Sequence, residues 1–493
     1  DRQLPRHVEQ EMRAYLECGI LAYGFLRVRC EDCGESRVVA FSCKKRGFCP
    51  SCMGRRMADT AARLTEEVLP LVPVRQWVLS FPFEIRYRLA WDGALLSTVL
   101  AVFLRVVQGW YRRQARAQGY HGGRCGSVTF VQRFGSSVNL NPHLHVLMMD
   151  GGYVSDEDGT PFFVPAPPLT DDDVRAIVET TAQRVVRLCQ RRGLFDEGAT
   201  DPLWEQEPLL AQISAASVQG MVATGDRAGR KVRRRLTDPE DGVRSGALCY
   251  ASRGFSLHAA TRIEATDRRR LERLCRYVIR PPVANGRLRF VDETTLAFSL
   301  KTPWADGTCQ ILLSPQELLE KLAALVPPPR LNLVRYHGVL APASPDRDHR
   351  VSWAKLLARV FQYDVTVCPS CAGRMKIIAA LTAPSAVEAF LNAVGLPSRA
   401  PPIARPTWIA NSNSAKLPES SASKAAAEDG ALPESKRLDQ PSGPAPAGPP
   451  ENGRSTISHR SHHDQIACTR HTRLAIIPLI LLIRPVRHCW RRR

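Results

Sequence analysis

The chain has 493 residues, 44% of them hydrophobic, which allows about three domains with buried cores and excludes a wholly disordered protein. Lysine and arginine total 68 against 48 acidic residues, a formal charge of +20, so nucleic acid is the expected partner and an ordinary basic protein is the alternative. The longest apolar run, Leu474–Ile483, is too short to cross a bilayer. Cysteines in C-x-x-C pairs indicate metal binding in a reducing compartment, and we expect a cytoplasmic protein without a membrane partner.

Two C-x-x-C pairs lie fifteen residues apart near the N-terminus, and their cysteines are Cys30, Cys33, Cys49 and Cys52. This spacing is typical of a zinc ribbon, in which two turns hold one tetrahedral Zn²⁺. We therefore predict a structural zinc domain over residues 1–68, with a redox dithiol pair as the alternative. The ribbon either binds DNA or serves as a structural clip. Cys43 is a fifth thiol, either an alternate ligand or a core residue.

Apolar periodicity beyond this motif predicts an α+β protein. Expected helices are 55–68, 94–117, 171–192, 267–280 and 314–325, and expected strands are 37–41, 77–83, 127–134, 143–149, 289–300 and 310–313. We assign residues 74–326 to one domain built on an antiparallel sheet. Residues 327–396 form a following segment with a lone C-x-x-C pair, Cys368 and Cys371, which is half a zinc site at most.

The composition beyond that segment predicts a disordered tail or extension over 397–493.

His143 and His145 lie on the strand that follows Pro142. Side chains alternate along a strand, so both imidazoles project from one face. The other face carries Leu144, Val146 and Met148, which we expect to pack in a core. Two imidazoles at this spacing can share one divalent cation, although the pair alone is also common in ordinary strands.

Gln132 lies on the preceding strand, which we expect to pair with the histidine strand as an antiparallel hairpin. That pairing places Gln132 on the histidine side as a candidate third ligand. A buried structural glutamine is the alternative.

Tyr277 lies on a helix that begins after Asp267 and ends before Pro281. At about 100° per residue it falls outside the apolar stripe and shares a side with Arg270 and Arg273. Arginines beside a tyrosine would hold a phosphate next to its hydroxyl. Simple packing at the helix edge with solvated arginines is the alternative.

A basic cluster lies between the histidine strand and the helix of Tyr277, and it includes Arg230, Lys231, Arg233 and Arg234. We interpret it as a loop that contacts DNA phosphates, with a solvated charge run as the alternative.

Three motifs, Cys30–Cys52, Asn141–His145 and Arg276–Pro282, occur together in this order. The chain resembles transposases of the insertion-sequence ninety-one family, close to its ISCR relatives, over residues 4–396. The resemblance implies an HUH endonuclease (His-hydrophobic-His) that moves DNA by a rolling-circle route. Some relatives carry two tyrosines four residues apart, whereas this chain has Arg273 at that position and resembles the single-tyrosine branch.

By this resemblance, His143 and His145 hold Mg²⁺ or Mn²⁺, and Tyr277 attacks single-stranded DNA at the element ends to form a 5′-phosphotyrosine. A replication initiator or relaxase would share this chemistry with a different target DNA. The rival hypothesis is a zinc-ribbon DNA-binding protein without catalysis, such as a decayed transposase.

Overall fold

The structure is a computed structural model of the chain. It describes residues 3–196, 198, 201–236, 246–284, 286–304, 306–341, 367–368 and 370–400. The expected disordered tail lies outside the described residues, apart from 397–400.

The described residues form an α+β fold, as predicted. Its helices are α1 (Arg6–Glu17), α2 (Pro50–Arg63), α3 (Phe83–Trp91), α4 (Gly93–Ala117), α5 (Asp171–Arg191), α6 (Pro202–Gln206), α7 (Pro208–Gln219), α8 (Arg268–Ile279), α9 (Pro315–Leu325) and α10 (Pro384–Ala393). Its strands are β1 (Phe25–Cys30), β2 (Ser36–Ala40), β3 (Val74–Ser80), β4 (Gly126–Phe134), β5 (Leu140–Met149), β6 (Gly151–Ser155), β7 (Pro161–Pro165), β8 (Arg233–Leu236), β9 (Cys249–Ser252), β10 (Phe255–His258), β11 (Arg262–Ile263), β12 (Leu288–Phe290), β13 (Leu296–Ser299), β14 (Thr308–Leu313), β15 (Val334–Gly338) and β16 (Met375–Leu381).

The central sheet has seven strands in the order β15-β4-β5-β3-β10-β9, with β11 also paired to β3. Every one of these pairings is antiparallel. β4 and β5 form the hairpin expected from the sequence. The histidine strand β5 lies between β4 and β3, so both its edges are hydrogen-bonded and its side chains are held in register.

The two faces of β5 have different cores, because successive side chains point to opposite sides of the sheet. Leu144, Val146 and Met148 are fully buried against helices α4 and α5, as predicted. The opposite face carries Leu147, which packs with α2 and α8. His143 and His145 share that second face, so the fold brings helix α8 over the histidines.

Helix α4 is the one helix of the described part of the chain that is long and apolar enough to cross a membrane. Its apolar side chains, however, belong to the core beneath the central sheet. Burial of this kind is typical of a helix in a protein core, so the apolar composition of α4 is explained by its packing.

Asp150 follows the histidine strand directly and anchors its end through a buried ionic network. Its carboxylate accepts hydrogen bonds from Arg75 at 2.9 Å, Arg262 at 2.7 Å and the Tyr111 hydroxyl at 2.8 Å. Asp150 is 1% exposed and Arg75 is 4% exposed. Because three donors satisfy one buried carboxylate, the charge is paired on all sides and fixes β5, β3 and β11 relative to one another.

A three-stranded sheet of order β16-β1-β2 lies in the N-terminal region. Its third strand comes from the other end of the described chain, since β16 pairs with β1. Earlier in the same C-terminal segment, β15 pairs with β4 of the central sheet. The sequence predicts a segment of its own over 327–396; in the structure, the two strands of this segment complete two different sheets.

Candidate functional site

The imidazoles of His143 and His145 lie side by side on β5, with ring centroids 4.9 Å apart. His143 donates from Nδ1 to the backbone carbonyl of Asn141 at 2.8 Å, which leaves the lone pair of Nε2 available to a ligand. The Nε2 atom of His145 is buried and has no hydrogen-bond partner among the described residues. Both rings therefore offer a nitrogen on the same face of the sheet.

Gln76, which the sequence analysis did not single out, contacts His145 from the neighbouring strand β3. Its side-chain amide nitrogen lies 2.8 Å from Nδ1 of His145, and the residue is 4% exposed. A side-chain amide can present either its NH₂ group or its oxygen without a change of shape. As placed, the NH₂ group donates to Nδ1 and leaves the proton on Nε2; with the amide turned, its oxygen would accept from Nδ1–H and free the Nε2 lone pair of His145.

Gln132 lies directly opposite His143 in the register of β4 and β5, which places it on the histidine face as predicted. Its amide nitrogen donates to the backbone carbonyl of Val278 on α8 at 3.3 Å. Its Oε1 atom is buried and has no partner in the part of the chain that the structure describes, and the same holds for Oδ1 of Asn141 on the same face of β5. Buried polar atoms are normally paired, so unpartnered oxygens beside two histidines are consistent with a cation site.

The pKa values of both histidines are shifted downward, chiefly because burial removes water from the charged form. The pKa of His143 is lowered to about 4 by burial, with further contributions from Arg280 and Arg86. The pKa of His145 is lowered well below its ordinary value by burial, by His143 and by Arg280. Both imidazoles are therefore neutral at pH 7, which is the form that binds metals.

Tyr277 on α8 lies beside the histidine pair. Its ring centroid is 6.0 Å from that of His145, and its side chain is 40% exposed. The helix packs its apolar stripe, including Leu274 and Val278, against α2 and the sheet. This packing leaves Tyr277 partly exposed at the edge of the site.

Two cations stack over the ring of Tyr277. The Arg280 guanidinium carbon lies 4.3 Å from the ring centroid, and the Lys301 ammonium lies 5.3 Å from it. Arg280 follows α8, whereas Lys301 is on the loop between β13 and β14. Neither residue is among those predicted from the sequence, although Arg280 lies within the Arg276–Pro282 motif.

Arg270 and Arg273 are exposed on α8, on the same side of the helix as Tyr277. Arg230 and Lys231 are exposed in the loop before β8, and Arg233 and Arg234 lie on β8 itself, so part of the expected loop is a strand. Arg234 contacts the Lys301 loop, since it pairs with Asp306 at 2.9 Å and stacks over Trp304. The loop thus connects the β8 arginines with the tyrosine.

The four cysteines expected to share one zinc are not brought together. Cys49 and Cys52 cluster with Cys18 and Cys43, whereas Cys30 and Cys33 cluster with Cys368 and Cys371. The predicted set of Cys30, Cys33, Cys49 and Cys52 is therefore corrected. The C-x-x-C pair at Cys368 and Cys371, expected to be half a site, is part of a complete group of four.

The β1–β2 hairpin explains why the pairs separate. Cys30 ends β1 at the turn of the hairpin, whereas Phe25 and Ala40 pair at its open end. Five residue steps of about 3.3 Å place these ends about 17 Å apart, which is too far for one ion. Cys18 and Cys43 adjoin the open end, where the Cys43 amide donates to Cys18 Sγ at 3.3 Å.

The spacing of the sulfur atoms fits zinc in both clusters. Zn–S bonds of about 2.3 Å in a tetrahedron separate the sulfurs by about 3.8 Å. In the first cluster, Cys18 Sγ lies 3.7 Å from both Cys49 and Cys52, and Cys43 lies 3.3 Å from Cys52. In the second cluster, backbone N–H groups of Cys33 and Asp32 are the main cause that lowers the pKa of Cys30 to about 7. This shift favours the thiolate that a metal requires.

Comparison with known protein families agrees with this geometry. Residues 126–348 match the family model described as "Putative transposase", and residues 1–81 match the model described as "Transposase zinc-binding domain". The first match contains the histidine strand and Tyr277, and the second contains the first cysteine cluster. The molecule is therefore a DNA transposase with an N-terminal zinc-binding domain.

The zinc-binding model is that of the insertion-sequence ninety-one transposases, and the chain belongs to this family. No curated protein and no solved structure matches the chain.

Proposed function

We propose that this transposase nicks and rejoins single-stranded DNA at the ends of its element, with Tyr277 as the nucleophile. The observation that carries the proposal is the position of an exposed tyrosine 6.0 Å, ring to ring, from His145, the buried member of the histidine pair. The cations over its ring, Arg280 and Lys301, would bind the scissile phosphate beside the hydroxyl.

His143, His145 and Gln132 would hold the catalytic divalent cation. Two neutral imidazoles and an amide oxygen suit Mn²⁺ or Mg²⁺. Nε2 of His145 and Oε1 of Gln132 are buried and have no hydrogen-bond partner among the described residues, so both atoms would be available to the ion. When bound there, the ion would polarise the scissile phosphate and stabilise charge that develops on its oxygens. Gln76 and the Asn141 carbonyl would keep the Nδ1 protons in place, so that both Nε2 atoms face the ion.

The proposed reaction exchanges one phosphodiester for another. The Tyr277 oxygen attacks phosphorus in line, a tyrosine–phosphorus bond forms, and the bond from phosphorus to the 3′-oxygen breaks. The phenolic proton passes to solvent and the released 3′-oxygen takes up a proton, so the first step needs no water as a nucleophile. The 5′-phosphotyrosine conserves the bond energy, and a 3′-hydroxyl can later attack it to rejoin DNA.

Each chain would form a single covalent link to DNA, because Tyr277 is the one tyrosine of α8. The position four residues before Tyr277 is Arg273, which is exposed on the same side of the helix. It would contact a DNA phosphate rather than form a second link. Arg270 and the β8 residues Arg233 and Arg234 would extend this contact along the strand, with Arg230 and Lys231 beside them.

We further propose that Cys18, Cys43, Cys49 and Cys52 hold the structural zinc of the N-terminal domain. The protein would act on DNA in the cytoplasm, as a transposase does. A non-catalytic DNA-binding protein and a replication initiator or relaxase are the alternatives. The first would form no covalent adduct, and the second would cut a different DNA.

The test is cleavage of a 3′-labelled single-stranded oligonucleotide that carries the element's end. The parent protein with Mn²⁺ or Mg²⁺ should release a 5′ fragment and retain the label on the protein in a denaturing gel. Tyr277→Phe should lower the rate at least about 10³-fold, because only the attacking oxygen is lost. Its DNA affinity should stay close to that of the parent, since Arg280 and Lys301 remain.

Tyr250→Phe is the matched control, because Tyr250 is a similarly exposed tyrosine, at 37% against 40% for Tyr277. It should cut at the parent rate. Cleavage by Tyr277→Phe at that rate would remove Tyr277 from its role, and full activity of the parent in EDTA would remove the cation. A parent protein that binds the oligonucleotide but never forms the adduct would favour the non-catalytic alternative.

A further inference from the structure

The second cysteine cluster joins two segments that are more than 300 residues apart in the sequence. Cys30 Sγ lies 3.5 Å from Cys371 Sγ, and Cys33 Sγ lies 3.5 Å from Cys368 Sγ. The four sulfurs lie within 4.8 Å of one another. Cys368 and Cys371 fall outside both family matches, which cover residues 1–81 and 126–348.

The two C-x-x-C turns of this cluster share two backbone features at the residues that the structure describes. In the first, the Gly34 amide donates to the Cys30 carbonyl at 3.2 Å, and in the second the Ala372 amide donates to the Cys368 carbonyl at 2.8 Å. Gly34 and Ala372 both adopt positive φ, at 76° and 58°. Each turn therefore directs its two thiols inward in the same way, as in the paired turns of a zinc ribbon.

The surrounding structure places the second turn firmly against the first. β16 pairs with β1 from Cys30↔Met375 to Phe25↔Leu381, so the two turns meet at one end of the sheet. At the other end, helix α10 packs Val387 and Leu391 into a small core with Phe25. The cysteines are thus aligned by a strand pairing and by a separate apolar contact.

We propose that Cys30, Cys33, Cys368 and Cys371 form a second tetrahedral zinc site, which ties residues 367–396 into the N-terminal domain. The set contains four sulfur ligands and no position for water, so the site is structural rather than catalytic. Four thiolates of this kind select Zn²⁺ over Mg²⁺ or Mn²⁺, which prefer oxygen. The zinc-binding region is then discontinuous, with its last two ligands more than 300 residues beyond the first two. This inference does not depend on the proposed strand transfer.

The first measurement is the zinc content of the full-length protein. The parent should carry two Zn²⁺ per chain, and Cys368→Ser with Cys371→Ser should carry one. Cys249→Ser with Cys309→Ser is the matched control, since these thiols lie outside both clusters, and it should carry two. Cys49→Ser with Cys52→Ser should lose only the other ion, so failure of one site is distinguished from failure of the other.

Two Zn²⁺ retained by the Cys368→Ser and Cys371→Ser variant would overturn the site. A parent with a single ion that this variant keeps would do the same.

Alkylation of the parent protein requires no variant and covers the case in which the variant does not fold. Cys33 and Cys371 are exposed, yet zinc should protect them from iodoacetamide until a chelator is added. Cys309 should react from the start. Equal reaction of Cys33, Cys371 and Cys309 in parent protein without chelator would refute the site.

Discussion

Replacement of Gln76 by leucine tests whether the residue that contacts Nδ1 of His145 controls the affinity of the proposed site for its metal. Gln76 is 4% exposed, and its only described side-chain hydrogen bond is to Nδ1 of His145 at 2.8 Å. Leucine nearly preserves the volume but cannot hold a proton on Nδ1. His145 is then free to place its proton on Nε2, where a metal would have to bind.

Partners behind metal-bound histidines usually contribute a factor of about 10 to 100 in metal affinity, or about 1.4 to 2.7 kcal/mol. We therefore expect Gln76→Leu to raise the Mn²⁺ concentration for half-maximal cleavage by about 10- to 100-fold, with the maximal rate largely retained at saturating Mn²⁺. Gln76→Glu should restore the affinity, because a carboxylate accepts the Nδ1 proton in the same way. Direct calorimetric titration with Mn²⁺ measures the same shift without relying on activity.

Gln310→Leu is the control, since Gln310 is also a strand glutamine with a side-chain hydrogen bond, to Ser299 at 3.2 Å, but lies on β14. It should leave the Mn²⁺ dependence unchanged. A Gln76→Leu protein with the parent's Mn²⁺ affinity, or a loss that Gln76→Glu does not restore, would show that Gln76 is only a packing residue.

Two further predictions concern stability. Asp150→Asn should lower the free energy of unfolding in urea by about 3 to 5 kcal/mol, because Arg75 is left buried without its counter-charge. The control is Asp172→Asn, which removes an exposed carboxylate paired with Arg175 at 2.6 Å and should change the free energy little. Equal effects of the two substitutions would contradict the role of the buried network. The low pKa values of His143 and His145 mean that the unfolded chain binds more protons below pH 6.5, so metal-free protein should be fully stable above that pH and lose stability as the pH falls, by up to about 1.4 kcal/mol per pH unit for each imidazole. Thermal unfolding from pH 7.5 to 5 should show a shallower loss when both histidines are replaced by glutamine, and an unchanged slope would refute the assignment.

Local periodicity is enough to predict several parts of the site from the sequence. The two-residue period of β5 places His143 and His145 on one face, and the helical period of α8 turns Tyr277 away from the core. The hairpin with β4 was also predictable, because a short loop forces neighbouring strands together, and it placed Gln132 beside His143. Each of these predictions concerns residues of one helix or strand, or residues of two strands joined by one hairpin loop.

Contacts between residues far apart in the sequence depend on how the strands and sheets pack, which local patterns do not specify. Gln76 reaches His145 because β3 pairs with β5, and Lys301 reaches Tyr277 from a loop of another sheet. The C-x-x-C pairs looked like one zinc ribbon because their spacing is correct, but spacing along the chain does not specify which pairs share an ion. A rigid hairpin about 17 Å long holds the two pairs apart. Each pair then takes the partner that the strands bring to its own end, Cys18 and Cys43 at one and Cys368 and Cys371 at the other.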